Sequence, residues 1–176
     1  DPATGQKKYR RTDKLVTYRT QNLGLFEATR TLGIPRAYVL PGDQRDVIKK
    51  LLAHGIVVEA LKESVAVEAE VYVVESMKSS DRPFQNHRET SLQGTFEKRK
   101  VEVSVGSFYV TMAQPKAALV FYLLEPESDD GLVDWNFFDQ YLISRREASQ
   151  RTIFPVYRLH QSLNAAKWEV PAGSPR

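Results

Sequence analysis

The sequence predicts an α+β domain in which a mixed or antiparallel β-sheet dominates. Two stretches of alternating valines, at residues 65–74 and 96–105, predict strands that each bury one face. A third observation is the amphipathic pattern at residues 43–54, which predicts one main helix. These three patterns together favour a sheet with a helix packed against it.

Length and composition limit the functions that the chain can have. Its 176 residues suit one well-buried domain better than two small ones, and the 41% hydrophobic and 27% charged shares are typical of a globular protein. The absence of cysteine excludes disulfides, thiol catalysis and thiolate metal sites. No apolar run reaches the roughly 18 residues of a membrane span. The net charge of +3 includes a single short basic run at 7–11, so we expect no nucleic-acid partner.

The predicted domain limits follow from where polar and apolar segments alternate along the chain. Residues 1–14 are polar and predict an extended lead-in, residues 15–164 one domain, and residues 165–176 a loosely held tail. β-Branched and aromatic residues predict a strand at 15–20 and a weaker strand at 25–31. The chain opens without Met or an apolar signal segment, so we expect a piece of a longer or processed protein.

Residues 36–61 read as a compact β-α-β unit. A short strand at 36–40 leads through Pro41 and Gly42 to a helix that begins with Asp43 as its N-cap. Gly55 suits the left-handed position that ends a helix, and a strand follows at 56–58. The connection is near the minimum for a parallel crossover, so the pairing of the two strands stays open. The apolar face of the helix is formed by Val47, Ile48, Leu51 and Leu52.

The middle of the chain predicts two strands and a long loop. Glu68 and Glu70 lie on the outer face of the first valine strand, and residues 76–95 are polar and predict an irregular loop. A loop of that length is usually functional or mobile. The second valine strand changes its apolar phase at Gly106, which predicts a bend there.

A short buried helix is predicted at 115–124, because Pro115 suits a first helical position and alanine and leucine follow. Pro126 ends it. The stretch 123–138 then predicts a buried segment, an exposed acidic turn and an aromatic return to the core. Residues 139–142 continue in the core, 144–151 form a charged surface segment, and 153–159 is a last apolar piece.

The sequence contains no complete catalytic pattern. The three histidines are far apart in sequence, and none begins a His-x-x-Glu or His-Glu-x-x-His zinc pair. His87 and Glu89 match the start of a zinc deaminase motif, but the cysteine ligands of that motif are missing. Nucleophile elbows, phosphate loops and dinucleotide fingerprints are also absent. The sequence therefore predicts no catalytic and no metal-binding residue.

Three features remain as candidates for binding. The carboxylates from Glu125 to Asp134 do not follow a calcium-loop spacing, so a solvated acidic turn is favoured over a metal site. Trp135 lies between polar neighbours, and whether it faces the core or a partner stays open. His87 lies in the long polar loop without a visible partner, so a ligand-binding or catalytic role is the weaker interpretation.

The sequence also resembles a known family over residues 35–142. The resemblance rests on the segments 35–41, 82–87, 106–110 and 114–115, and above all on Leu-Leu-Glu-Pro-Glu-Ser-Asp-Asp-Gly-Leu-Val-Asp-Trp-Asn-Phe-Phe-Asp at 123–139. It is similar to the region downstream of the catalytic domain in large bacterial zinc carboxypeptidases of the carboxypeptidase A type. The His-x-x-Glu zinc pair, the later histidine ligand and the catalytic glutamate of that family cannot be placed on this chain.

The resemblance implies a noncatalytic C-terminal accessory domain, which docks on an upstream peptidase domain in cis and stabilises it or shapes access to its cleft. It further implies zinc in the peptidase domain and a periplasmic or extracellular location. A glycan- or peptidoglycan-binding module, or a peptide-binding one, is the rival interpretation, and an enzyme in its own right is the third. The candidate contact residues are His87, Tyr109, Asp129, Asp130, Asp134 and Trp135.

Overall fold

The computed structural model describes residues 2, 4–7, 9, 11–25, 27, 31–147 and 152–173. The chain divides into two compact units, residues 1–33 and residues 34–176. No helix or strand is present among the described residues of the first unit, so the strand predicted at 15–20 is wrong. Of the strand predicted at 25–31, residues 26 and 28–30 lie outside the described residues and the others are not in a strand. Strand propensity alone does not form a strand without a partner.

The second unit is built around an antiparallel sheet. Its described strands have the spatial order β4-β3-β6-β1-β5-β2-β7, and every pairing between neighbours is antiparallel. The fold is therefore α+β and mainly β. The strands are β1 (Ala37–Leu40), β2 (Glu59–Leu61), β3 (Val65–Ser79), β4 (Thr90–Val103), β5 (Phe108–Thr111), β6 (Tyr157–Leu159) and β7 (Lys167–Glu169). The helices are α1 (Arg45–Ala53), α2 (Ala117–Leu124) and α3 (Asp139–Glu147).

The main predicted helix forms, with different details at its start. Helix α1 begins at Arg45, and Gln44 rather than Asp43 occupies the N-cap, with no side-chain hydrogen bond to the helix. At the other end Gly55 has a φ of +69° and donates to Leu52 O, while Ile56 N donates to Leu51 O. These are the two hydrogen bonds of a Schellman motif.

The strands on either side of α1 do not pair with each other. Strand β1 pairs with β5 and β6, whereas β2 begins only at Glu59 and pairs with β5 and β7. A single strand from later in the chain, β5, lies between them and pairs antiparallel with both, so β1 and β2 run parallel without contacting each other. Residues 56 and 58, predicted as a strand, are buried in the core.

Strands β3 and β4 form a hairpin that is much longer than the valine patterns predicted. The register runs from Val65↔Val103 to Ser79↔Thr90, with an irregularity between Val74 and Ser76. The loop predicted at 76–95 is therefore wrong except for the connection at 80–89. Residues 76–79 and 90–95 are too polar to predict a strand. They are strands in the structure because their backbone groups continue the hydrogen-bonded ladder.

Two apolar clusters lie on the two faces of the sheet. The helices cover the larger cluster, which includes Tyr38, Tyr72, Phe138 and Phe154. The smaller cluster is formed on the other face, mainly by strand residues. Residues 167–169, in the predicted tail, form the short edge strand β7 beside β2.

The remaining helices differ from the predictions in their bounds. Helix α2 spans Ala117–Leu124, slightly less than the predicted 115–124. Helix α3 was not predicted and includes part of the segment expected as charged surface. Residues 148–151 of that segment lie outside the described part of the chain. None of the described helices is long and apolar enough to cross a membrane.

Candidate functional site

The stretch between α2 and α3, residues 125–138, forms a compact loop that we call the acidic loop. Its backbone closes on itself, because Leu132 N donates to Leu123 O at 3.1 Å and Phe137 N donates to Leu132 O at 3.1 Å. A Cβ on Gly131 would lie 3.0 Å from Tyr122 O, so the chain passes closely over the end of α2. The loop is therefore a defined structure that presents its side chains in fixed positions.

The first carboxylates of the acidic loop point into the protein. Glu125 is only 3% exposed, and its Oε1 accepts a hydrogen bond from Tyr38 Oη at 2.6 Å and lies 3.2 Å from Arg158 Nε. Glu127 accepts a hydrogen bond from Tyr72 Oη. The predicted solvated acidic turn is thus wrong at Glu125. The donors are Tyr38, Tyr72 and Arg158 of the sheet, which lie far from the loop in sequence, so no local pattern predicts these contacts.

Arg158 extends this contact into a buried network. Its Nη1 lies 3.2 Å from Glu70 Oε2, which also lies 2.6 Å from His160 Nε2, and its guanidinium lies 4.5 Å from the centre of the Phe96 ring. Burial raises the pKa of the Glu125 carboxyl, against the lowering effects of the Tyr38 hydrogen bond and the Arg158 charge. The network fixes the start of the acidic loop to the sheet.

The other half of the acidic loop points outward and contacts the turn at 84–87. Trp135 Nε1 donates to Asp130 Oδ1, and the His87 ring stacks on the indole with 4.3 Å between ring centroids and 23° between planes. The Phe84 ring meets His87 edge-on at 6.5 Å. Trp135 is 37% exposed and Phe84 is 52% exposed. The question left open by the sequence is answered: the indole lies at the surface.

Backbone geometry places His87 on this surface. Gln85 and Asn86 have positive φ, and Phe84 and His87 exchange backbone hydrogen bonds of 2.8 and 2.9 Å. This is the arrangement of a tight two-residue hairpin turn. Both ring nitrogens of His87 are buried and have no hydrogen-bond partner among the described residues.

Asn136 holds the turn and the acidic loop together, a role that the sequence did not reveal. Its Nδ2 lies 2.8 Å from Arg88 O, 3.0 Å from Thr90 Oγ1 and 3.0 Å from Asp139 Oδ2. Thr90 N also donates to Asp134 O at 3.3 Å. The φ of Asn136 is +65°, a conformation that asparagine tolerates better than most residues.

We give the name aromatic-acidic surface to a group of exposed and partly exposed residues, namely Phe84, His87, Asp129, Asp130, Asp134 and Trp135. Burial raises the pKa of Asp134, and the neighbouring carboxylates of Glu89, Asp130 and Asp129 raise it further. In the described part of the chain, none of its three aspartates forms an ion pair. The nearby Arg88 guanidinium binds Ser80 O and Asp81 O instead. The surface thus carries negative charge that no described side chain neutralises.

A cleft of about 180 Å³ lies beside this surface, between the acidic loop and the start of β4. Hydroxyl and carboxylate groups dominate its lining, which is formed by Thr90, Ser91, Leu92, Pro126, Glu127, Ser128, Asp129 and Asp134. Within the described residues, no group of three or more His, Asp or Glu side chains is arranged to hold a metal ion.

Tyr109 lies apart from the other candidate residues. It belongs to the smaller apolar cluster on β5, and Lys167 Nζ lies 5.0 Å from the centre of its ring. Burial raises the pKa of its phenol. The structure therefore brings together His87, Asp129, Asp130, Asp134 and Trp135 and leaves Tyr109 in the core.

Comparison with known proteins finds fungal relatives. The chain is 31% identical over 124 residues to carboxypeptidase 2 of Trichophyton rubrum and 30% identical over 126 residues to carboxypeptidase 2 of Trichophyton tonsurans. These alignments cover 68% and 69% of the chain. The chain spans 23% of the length of each of these two relatives. No family profile and no solved structure matches it. The chain is thus similar to one part of fungal proteins named carboxypeptidase 2.

Proposed function

We propose that this chain is a noncatalytic accessory region of a carboxypeptidase, which docks on the peptidase domain of the same protein and stabilises it or shapes access to its cleft. The observation that carries the proposal is the similarity to 23% of the length of proteins named carboxypeptidase 2. The sequence supports it, since it lacks the zinc pair and the catalytic glutamate that the resemblance would require of the peptidase domain itself.

The proposal assigns zinc to the peptidase domain and not to this chain. The resemblance of residues 35–142 to large bacterial zinc carboxypeptidases supports the carboxypeptidase A type, a bacterial source and a C-terminal position. The same resemblance supports a periplasmic or extracellular location. A zinc assay on the longer protein and on this chain separates the two halves of the assignment: zinc should be retained only when the peptidase domain is present.

The aromatic-acidic surface is the proposed contact with the peptidase domain. A fixed, half-exposed tryptophan surrounded by carboxylates that lack ion pairs suits a partner that presents basic side chains. Lysine or arginine on the peptidase domain would neutralise Asp129 and Asp134. The hydrocarbon stems of these lysine or arginine side chains would cover the Trp135 indole.

The test compares variants within the longer protein that contains the peptidase domain. We expect Asp129→Asn with Asp134→Asn, and separately Trp135→Ala, to lower the thermal unfolding temperature of the peptidase domain or to change kcat/KM for release of C-terminal amino acids. Asp46→Asn, at an exposed aspartate of α1 outside the surface, is the matched control. The docking role is wrong if the surface variants behave like this control.

Two further outcomes would replace the proposal. Saturable glycan binding by the chain, lost in Trp135→Ala with the fold intact, would favour the glycan-binding module. The structure offers such a ligand one side of the indole only, because His87 stacks on the other and Asp130 binds the N–H. Peptide hydrolysis by the chain alone, lost in His87→Ala, would make the chain an enzyme.

A further inference from the structure

A second cleft lies on the β3–β4 hairpin, away from the acidic loop. It has a volume of about 340 Å³. We call it the hairpin cleft, and it is lined by Glu68, Ala69, Glu70, Lys98, Arg99, Lys100, His160 and Gln161. The cross-strand register places Glu68 opposite Lys100 and Glu70 opposite Lys98. Opposite residues in a ladder project to the same face, so these four charged side chains lie together.

One wall of the hairpin cleft is anchored in the buried network. Glu70 Oε2 lies 3.2 Å from Arg158 Nη1 and 2.6 Å from His160 Nε2. Arg158 in turn is 4% exposed and lies 3.2 Å from Glu125 Oε1. These contacts hold the Glu70 carboxylate in place, while the single charge of Arg158 is shared between Glu70 and Glu125.

The other charged groups of the cleft lie outside this network. The Arg99 guanidinium binds Glu97 Oε2, with 2.7 Å from Nη2 and 3.1 Å from Nε. Across the described ranges, Lys98, Lys100 and Glu68 form no ion pair. Two ammonium groups and one carboxylate of the cleft therefore have no ion pair within the described residues, and they suit a ligand that carries both signs of charge.

We propose that the hairpin cleft binds a free α-amino acid as a zwitterion. The α-carboxylate lies between Lys98 and Lys100, and the α-ammonium contacts Glu68. A phosphate dianion fits poorly, since Glu68 and Glu70 would repel its second charge. The aliphatic stems of the two lysines give the amino-acid side chain a small apolar contact. This proposal stands on the charges of the cleft and does not depend on the docking role.

The experiment is a titration of the full 176-residue chain with L-leucine, followed by ¹⁵N NMR. We expect saturable shifts of the amides of residues 68–70 and 98–100, with a Kd of about 1 mM. N-Acetyl-leucine lacks the ammonium and leucinamide lacks the carboxylate, so each should bind about tenfold more weakly. A leucyl peptide, with its two charges farther apart, should bind more weakly as well.

Variants of the cleft supply the second arm of the test. Lys98→Met with Lys100→Met should weaken L-leucine binding about tenfold, and Glu68→Gln should weaken it less. Lys78→Met, at an exposed lysine of β3 outside the cleft, should leave it unchanged. The comparison of L-leucine with its capped forms needs no variant, so a variant that fails to fold does not block the test.

Several results would overturn the proposal. One is the absence of saturable shifts in the cleft at tens of millimolar L-leucine. Another is equal binding of L-leucine and leucinamide, which would show that no carboxylate is recognised. Displacement of L-leucine by an equal concentration of inorganic phosphate would make the cleft a general anion site.

Discussion

The two halves of the acidic loop contain the same kind of side chain in opposite surroundings. In the first half, Glu125 and Glu127 accept hydrogen bonds from Tyr38 and Tyr72 of the sheet, and Arg158 lies against Glu125. In the second half, the three aspartates face outward without an ion pair in the described structure. The carboxylates of the first half are structural, and those of the second half keep a charge that a partner could neutralise, although Asp130 also accepts the Trp135 N–H.

This difference arises from the sheet and not from the loop. Tyr38 and Tyr72 stand on β1 and β3 beneath the start of the loop, whereas the end of the loop is held by Asn136 and by the stacked pair of His87 and Trp135. A buried ionic anchor keeps an exposed acidic surface in place. The position of the proposed docking surface should therefore depend on the buried residues Tyr38, Tyr72 and Arg158, although a partner does not contact them.

The largest effect is expected from breaking the anchor at Arg158. Arg158→Met leaves the carboxylate of Glu125 buried with only Tyr38 as a donor, since Glu125 Oε2 has no hydrogen-bond partner among the described residues. Loss of one member of a buried pair typically costs about 3–5 kcal/mol. We expect a loss of this size in the free energy of unfolding, measured by urea denaturation.

The double variant Arg158→Met with Glu125→Gln should recover part of that loss, because the buried charge of Glu125 is then removed together with its partner. Lys49→Met is the exposed control. It removes the 3.0 Å ion pair with Asp46 on α1 and should change the free energy of unfolding by no more than about 0.5 kcal/mol. Equal losses in Arg158→Met and Lys49→Met would contradict the structural role of the network.

A smaller effect is expected from the tyrosine hydroxyls. Tyr38→Phe removes the 2.6 Å hydrogen bond to Glu125, and Tyr72→Phe removes the hydrogen bond to Glu127, while both rings stay in the core. A hydrogen bond to a charged group contributes about 1.5–3 kcal/mol. Urea denaturation should give a loss in this range, greater for Tyr38 because Glu125 is the more deeply buried. A variant as stable as the wild type would show that water replaces the hydroxyl.

Local patterns predicted some elements and could not predict the anchor. Helix α1 and the central parts of β3 and β4 follow from apolar periodicity. The hydrogen bonds from Tyr38 to Glu125 and from Tyr72 to Glu127 join residues 87 and 55 positions apart, where no periodicity applies. The outer part of the hairpin was predicted as a loop because its sequence is polar. It forms strands because its residues pair with the partner strand, which a single segment does not reveal.

The aromatic-acidic surface was predicted only in part, because its contacts also join residues that are far apart in sequence. His87, Asp130 and Trp135 stood out by their residue types, but only the fold places their rings and carboxylate in contact. Asn136 was overlooked because its role depends on a positive φ and on acceptors from two segments, Arg88 and Thr90 in one and Asp139 in the other. Tyr109 was named as a candidate contact residue, but it lies in the smaller apolar cluster.

The exposed half of the loop should respond more weakly than the anchor. Trp135→Ala removes the stack on His87 and the hydrogen bond to Asp130, and we expect a loss of about 1 kcal/mol in the free energy of unfolding. Exchange of the Thr90 amide, which donates to Asp134 O, should accelerate as the loop and the turn separate. In Trp135→Phe an aromatic ring remains, so about half of the loss should return. Unchanged exchange at Thr90 would contradict the coupling between loop and turn.

The smallest effect is expected at Asp134, and its sign depends on pH. Burial and the carboxylates of Glu89, Asp130 and Asp129 raise the pKa of Asp134 above its ordinary value of 3.8. The folded chain therefore keeps this proton to a higher pH than the unfolded chain, so stability falls as pH rises through the interval above 3.8. Asp134→Asn removes this dependence and should be neutral or stabilising at pH 7, by at most about 0.5 kcal/mol. Asp81→Asn, at an exposed aspartate of the hairpin connection, is the control. Urea denaturation from pH 3 to 7 should show a flatter profile for Asp134→Asn than for Asp81→Asn, and parallel profiles would show that Asp134 does not bear the repulsion of the surface.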